Sequence, residues 1–273
     1  MSIQLKRLQE QFTIPLTEII GRKLYVTDFG REIAEAAKNI IAEVEAINYK
    51  TLAYQNELTG KLKVSSASTG KYVAPYFLSG FVNQHRGVDL VMDVTNKTRV
   101  VQSLERNEID FALVSVIPED LKTESLSLIK NKLYLVGSPS MTKKLSPKAD
   151  AFEGHSLLYR EKGSATRNAM ESFIRINGLP TSKKLELTSN EAVKQAVIAG
   201  IGCSIMPLIG LRNELKNNEI EIIPFRGLPV VTHWNIIWLK DKKLSPVAQA
   251  FLDYLRQNMD QIIEDNFKWY EEY

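Results

Sequence analysis

Cysteine is almost missing from this chain: Cys203 is its one example. A single thiol excludes an intramolecular disulfide framework and any zinc site built from several thiolates of one chain; it fits a reducing compartment, so a cytoplasmic location is expected. Long hydrophobic runs are missing too. No window approaches the roughly 18 uncharged apolar residues of a membrane span, and the charged start MSIQLKRLQEQF has no apolar stretch of signal-peptide length. Neither a membrane partner nor export is expected. An excess of one charge is likewise slight, since 35 Lys+Arg against 32 Asp+Glu leave +3. Bulk electrostatics therefore do not announce a nucleic-acid binder, although a local basic patch fits within that balance.

Catalytic patterns are the next absence. His85, His155 and His233 lie far apart, and none belongs to an HExxH spacing. There is no G-x-S-x-G elbow and no phosphate loop; AGIGCS offers Gly200 and Gly202 but Ile205 where a third glycine would be needed. Cys203 sits in a short apolar stretch and reads as a packed core residue rather than a nucleophile. Catalysis has no support in the sequence, and no catalytic residue, metal site or cofactor is expected.

What is present is a globular chain of 273 residues, 44% hydrophobic and 25% charged. At about 100 to 200 residues per domain this suggests about two domains. From Thr27 to about Leu58 no proline occurs, and Ile33, Ala37, Ile40, Val44, Ile47, Tyr54 and Leu58 follow one another in steps of four and three, broken at Thr51. That is a heptad seam on a helix of roughly 45 Å. It is either a long core helix or a dimerising connector. The second reading is preferred, because Thr59-Gly60 ends the helix and a new pattern begins at once.

From Lys61 onward strands and helices alternate. Strands are expected at 62–66, 88–94, 110–115 and 133–139, with helices at about 70–84 and 98–107. The rhythm then restarts, with strands at 156–160, 184–188, 203–207, 219–225 and 233–240 and helices from Ser164, Asn190 and Pro246. The pattern is α/β: open, mainly parallel sheets forming two lobes, with the chain crossing near Val136–Pro139 and again near Lys240. Such lobes enclose a ligand where strand ends and helix starts face a crevice. The tail beyond Asp260, acidic at Glu264, Asp265, Glu271 and Glu272, is expected to extend a helix and end loosely.

Four strand-to-helix junctions carry anion-binding chemistry: Ser66, Ser68, Thr69 and Gly70 in SASTGK, Thr98 in NKTR, the opening of KGSATR at 162–167, and TSN at 188–190. Hydroxyls and free backbone N–H groups at a helix start suit an anion, although the same residues serve equally as ordinary N-caps. Arg167 is a candidate for a bidentate contact and Lys71 for a second charge; either is otherwise a solvated surface residue. At the N-terminus, Ile3, Leu5, Leu8 and Phe12 fall at helical spacing, and Gly21-Arg22-Lys23 between two apolar runs reads as a hairpin turn. A helix followed by a basic-tipped hairpin is the second half of a winged helix-turn-helix, and it cannot close a core by itself.

The run SIQLKRLQEQF…PLTEIIGRKLYVTDFGREI resembles the recognition helix, wing and linker-helix start of LysR-type transcriptional regulators. The likeness continues through GKLKVSSASTGKYVAPYFLSGF, NEIDFALVS, YREKGSATRNAMESF, SNEAVKQAVIAGIGCSIMP and GLPVVTHWNIIWLKDKKLSPVAQAFLDYL. Within the family, STGKYVAP, KGSATRNAME and LPVVTHW look most like regulators of carbon-fixation (Rubisco) operons. The resemblance implies a DNA-binding homodimer or homotetramer joined by the linker helix through Ile33, Ala37, Ile40, Val44, Ile47 and Tyr54. It also implies a two-lobed, periplasmic-binding-protein-like effector domain holding a small, usually anionic metabolite, for this subgroup a phosphorylated sugar, a related metabolite or reduced nicotinamide nucleotide.

Ser68, Thr69, Thr98, Ser164, Thr166 and Ser189 fall where the family's pocket residues lie, and Gly70, Lys71, Ser115, Gly163, Ala165, Arg167 and Asn190 complete the candidate effector set. Ala165 stands where relatives often carry glycine. DNA contacts are assigned to Ser2, Gln4, Lys6, Arg7, Arg22 and Lys23. The implied division is a partial winged helix-turn-helix at 1–26, a linker helix at 27–58 and an effector domain at 61–273. Within the last, one lobe covers about 61–138 and 241–273 and the other about 139–240. Family members carry two helices before the recognition helix, and here Met1 stands directly at it, so the start is expected to be truncated or misassigned, or the regulator shortened. The alternative functions are a small-molecule-binding module without DNA binding and an enzyme of the same two-lobed fold.

Overall fold

The computed structural model describes residues 3–53, 58–143, 155–180 and 183–273. The chain divides at Thr59/Gly60 into two units. The first holds α1 (Ile3–Gln9), β1 (Thr17–Ile20), β2 (Lys23–Val26) and α2 (Asp28–Ala53). The two strands pair antiparallel from Thr17↔Val26 to Ile20↔Lys23. Gly21 supplies the turn from the left-handed region, at φ 65°. Lys23 opens β2, so the turn itself is Gly21-Arg22.

Thr27 fixes the start of α2, because its Oγ1 accepts from the Gly30 N–H at 3.0 Å and donates to the Pro15 carbonyl at 2.6 Å. Gly30 is required there, since a Cβ would run into the Leu16 carbonyl oxygen. The 26 residues of α2 span about 39 Å. Ile40, Val44 and Ile47 are 66%, 53% and 60% exposed along it, and Ala37 is exposed while Ile33 is half-buried. Tyr54 lies outside the described residues, and Leu58, the expected helix end, is described and not helical.

The second unit begins with β3 (Thr59–Ala67), a 3-10 turn (Ser68–Tyr72), α3 (Ala74–Gln84), β4 (Gly87–Thr95), α4 (Lys97–Glu105), β5 (Phe111–Val114) and β6 (Thr123–Gly137). After the short α5 (Pro139–Thr142) come β7 (Ser156–Arg160), α6 (Ala165–Ile176), β8 (Lys183–Leu187), α7 (Asn190–Ile198) and β9 (Ser204–Pro207). The turn Leu208–Gly210, α8 (Arg212–Lys216), β10 (Glu221–Ile222), β11 (Val230–Leu239) and α9 (Pro246–Phe267) complete it. Ser245 caps α9 through the Ala248 N–H, as expected for a Ser-Pro start.

The sheets are mixed rather than mainly parallel. One seven-stranded sheet runs β10-β6-β11-β5-β3-β4, with β9 also on β6. The β3–β5 and β7–β8 pairs are parallel, but β11 is antiparallel to both β5 and β6, and β9 and β10 are antiparallel to β6. The two lobes therefore share strands. Thr123–Leu133 of β6 pairs with β11, and β6 continues as Leu133–Val136 against β9. The expected crossings near Val136–Pro139 and Lys240 fall at the ends of these two long strands. β6 starts ten residues before the expected strand at 133, because the Ser-Leu alternation of its half-exposed first part is stabilised by its ladder to β11. The expected strand at 219–225 shrinks to two residues ahead of Pro224.

Each lobe buries both sheet faces. In the second, Leu157, Tyr159, Leu133 and Leu135 pack with Met170, Phe173 and Ile174 of α6, whereas Leu158, Val136 and Met206 pack with Val193, Ala196 and Val197 of α7. The period of two sends alternate side chains to opposite helices. In the first lobe Val100 and Leu104 of α4 meet Ala112, Val114 and Ile237. On the aromatic side, Phe81 and Phe111 meet Phe251 edge-on at 5.2 and 5.6 Å.

The end of the chain is anchored rather than loose. Tyr270 is 2% exposed, and its hydroxyl accepts from the Lys132 backbone N–H at 2.7 Å. Lys132 Nζ, on β6, donates to the carbonyls of Tyr270 and Tyr273 at 3.0 Å each and approaches Glu271 at 3.4 Å. Arg212 covers the Trp269 ring at 5.1 Å. The aromatic residues interleaved with the acidic ones tie the tail down.

Candidate functional site

The junctions separate into those that cap their helices and those that do not. Asn96, not Thr98, caps α4 by accepting from the Arg99 N–H at 3.1 Å, and Ser189 caps α7 by accepting from the Ala192 N–H at 3.0 Å. The starts of α3 and of the turn at Ser68 have no side-chain cap, nor does α6, where Ser164 occupies the cap position and is buried. Ordinary capping thus accounts for Ser189 but not for Ser68, Thr69, Thr98 or Ser164.

Two of these segments meet across the lobes. A Cβ on Gly163, just ahead of α6, would come 2.8 Å from Thr98 Oγ1 at the start of α4; Gly163 also has φ 86°. Gly70 is equally confined, since a Cβ there would collide with Ser66 Oγ and come 2.9 Å from Leu113 Cδ2. Ser66, Thr69, Ser115, Thr166 and Asn190 are all buried, Ser68 is half-buried, and Ala165 is the first residue of α6.

Arg167 is engaged within its own lobe. Its Nε donates to Glu171 at 2.9 Å, and its Nη1 donates to the Arg160 carbonyl at 2.9 Å and to Glu186 at 2.5 Å. The Glu186 bond, opposed by desolvation, leads the set that pushes its pKa up. Two carboxylates, from α6 and β8, thus occupy the guanidinium from which a bidentate anion contact was expected. Lys71 lies 5.0 Å over the Tyr72 ring.

Residues outside the expected set form bonded networks beside these junctions. The buried Arg160 guanidinium makes a bidentate pair with Glu161, both bonds 2.9 Å, and donates to Asn190 Oδ1 at 3.0 Å. An arginine closing the apolar strand SLLYR was the available signal. Tyr72 Oη donates to Glu191 at 3.1 Å, and Lys194 bridges Glu191 at 3.2 Å and Glu214 at 2.6 Å. Burial raises the Tyr72 pKa, keeping its hydroxyl a donor. Burial also opposes ionisation of Glu191, but Lys194, Gln195 and Tyr72 outweigh it and hold the carboxyl below its ordinary value. At the start of α4, burial lowers the Lys97 pKa against the partial compensation of Glu119.

Two surface hollows, of about 480 and 380 Å3, lie beside Tyr159 and Lys184 and beside Tyr134 and Phe225, and neither is lined by a candidate effector residue. Among the described residues no group of three His, Cys, Asp or Glu is placed to hold a metal ion. None of the described helices is long and apolar enough to cross a membrane. In the first unit, Gln4, Lys6 and Arg7 are exposed on α1, and Arg22 and Lys23 are exposed at the hairpin tip; Ser2 is outside the described residues.

The family model for the LysR substrate binding domain matches residues 55–260. This chain belongs to the LysR family. It is 34% identical over 257 residues to the HTH-type transcriptional activator CmpR of Synechocystis sp., covering 93% of this chain and 84% of that protein. It is 32% identical to the RuBisCO operon transcriptional regulator of Acidithiobacillus ferrooxidans, covering 93% and 83%. The regulatory domain of Synechocystis CcmR, solved in complex with 2-PG, superposes with a TM-score of 0.68 at 30% identity, covering 74% of this chain and 98% of that one. The second unit is thus a periplasmic-binding-protein-like effector domain, and the protein is a metabolite-sensing transcriptional regulator. The binding-module reading without DNA is not favoured, since the relatives are transcriptional regulators. Regulators of this family bind DNA and small effectors and form oligomers.

Proposed function

We propose that the cleft of this LysR regulator captures a small phosphorylated anion, with the hydroxyls of Ser68, Thr69, Thr98 and Ser164 and the backbone N–H groups beside them as its ligands. The observation that carries this reading is the close approach of Thr98 to Gly163, one residue from each lobe, next to the helix start at Ser164 that no side chain caps. Helix N-termini with unfilled caps favour oxyanions through oriented N–H groups and the helix dipole. The 2-PG complex of the similar CcmR domain supports the ligand class. Ser66, Gly70, Ser115, Thr166 and Asn190 shape the walls around these ligands.

In the same reading α1 and the tip of the hairpin face DNA in the cytoplasm, α2 joins two protomers, and the controlled genes serve carbon fixation. The relatives that regulate RuBisCO operons support that regulon. Reading a cleft ligand through lobe closure and an oligomer is a binding function, so no turnover of the ligand is expected. Calorimetry with 2-phosphoglycolate tests the pocket. Thr98→Ala and Ser164→Ala should each weaken binding about ten- to hundredfold, in line with the loss of one hydrogen bond to a charged group. Arg167→Ala should leave affinity unchanged. Unaltered binding in both hydroxyl variants, or a loss confined to Arg167→Ala, would remove the assignment.

A further inference from the structure

Tyr72 ends the turn that carries Ser68, Thr69 and Gly70 in the first lobe, yet its side chain is held by the second. Its hydroxyl donates to Glu191 Oε2 on α7 at 3.1 Å. Its ring lies so close to the Gly210 backbone that a Cβ there would sit 2.8 Å from Tyr72 Cε2. Lys194 lies 6.0 Å from the ring centroid and is itself fixed between Glu191 and Glu214, at 3.2 and 2.6 Å. One phenol therefore touches α7 directly, is packed on the turn after β9, and is flanked by the cation that joins α7 to α8.

The two segments so joined are the ones that matter for a ligand. The turn at 68–72 carries four candidate effector residues, and α7 begins at the capping Ser189 and at Asn190, whose side chain is bonded to Arg160. We infer that Tyr72 is a positioning residue for effector capture: its bond to Glu191 latches the turn of the first lobe to the helix start of the second and sets how tightly a cleft ligand is held. The inference rests on the proposed cleft site, and it adds to that site residues that are not ligands.

The bond is separable from folding. Without the phenolic hydroxyl, Glu191 still pairs with Lys194 at 3.2 Å and accepts from Gln195 Nε2 at 3.4 Å, so α7 keeps its own network. The ring, which packs on Gly210, is kept in Tyr72→Phe. This variant removes one hydrogen bond to a carboxylate and little else.

The test uses the full chain with 2-phosphoglycolate as the probe, comparing wild type, Tyr72→Phe, Glu191→Gln and the double variant by calorimetry and by amide hydrogen exchange without ligand. Tyr72→Phe should weaken binding roughly tenfold, the size of one charged hydrogen bond. It should also speed exchange selectively at 68–72 and 189–192, with an unchanged melting temperature, and the double variant should be no weaker than the worse single one. Unchanged affinity and exchange in Tyr72→Phe, or additive losses in the double variant, would overturn the latch. A loss of melting temperature with uniform exchange would also overturn it, by assigning Tyr72 a structural role. Exchange needs no ligand, which keeps the two readings apart. Faster exchange in a protein whose wild type ignores 2-phosphoglycolate retains the latch and removes the ligand class; weakened binding in Thr98→Ala but not in Tyr72→Phe does the reverse.

Discussion

Burial sets the chemistry of the lone thiol. Cys203 is fully buried beside Leu157, Tyr159 and Ile205, and desolvation pushes its pKa up to about 12. It should therefore resist a disulfide reagent at pH 8 in the folded protein and react only on unfolding. The linkage has a definite sign. Because the folded pKa lies above that of an unfolded thiol, the folded state holds a proton that the unfolded state loses above about pH 9, so stability falls as pH rises through that range. Urea titrations of Cys203→Ala should show a shallower decline between pH 9 and 11 than wild type. The core role of this residue was legible from its apolar neighbours. The fate of Arg167 was not, since the carboxylates that claim it come from one turn further along α6 and from β8, a separation of 19 residues to Glu186 that no local pattern reveals.

Elements show the same division between local and distant causes. The strands at 156–160 and 203–207 and the helices at 164–176 and 190–199 were readable because each has a clear period and its own start signal. The first ten residues of β6 were not, because their ladder to β11 pairs Thr123 with Leu239, more than a hundred residues on. Tail docking was hidden for a related reason: an acidic composition masks Phe267, Trp269 and Tyr270, which count only once β6 offers Lys132. Removing that ammonium strands the buried Tyr270 carbonyl and frees the exposed Tyr273. Lys132→Ala should lower unfolding free energy by about 2 to 3 kcal/mol in urea melts, and limited proteolysis should then cut near Lys268 first. Equal protease resistance in the variant would show that the ring packing alone holds the tail.

At the scale of the whole molecule, the first unit leaves much apolar surface uncovered. Ile40, Val44 and Ile47 lie on one face of α2 and stay more than half exposed, a pattern that a second helix would bury. Ile40→Glu with Val44→Glu should convert a dimer at micromolar concentration to a monomer in sedimentation velocity, while calorimetry with 2-phosphoglycolate stays unchanged if each effector domain binds by itself. A monomeric wild type would remove the seam argument. The architecture was legible as two α/β lobes behind a long helix. What the sequence did not disclose was that both lobes hang on one shared sheet, since parallel repeats suggest independent sheets and only pairing reveals the continuous antiparallel strands.

That shared sheet constrains how the lobes move. β6 and β11 remain hydrogen-bonded from Leu239↔Thr123 to Val230↔Leu133, and their register changes at one place, between His233 and Asn235. A ladder of this kind resists sliding, because a slip of one residue would turn every side chain to the wrong face, but it bends and twists at a bulge. The shared ladder would therefore permit a rotation of one lobe against the other about the bulge far more readily than a sliding of one past the other.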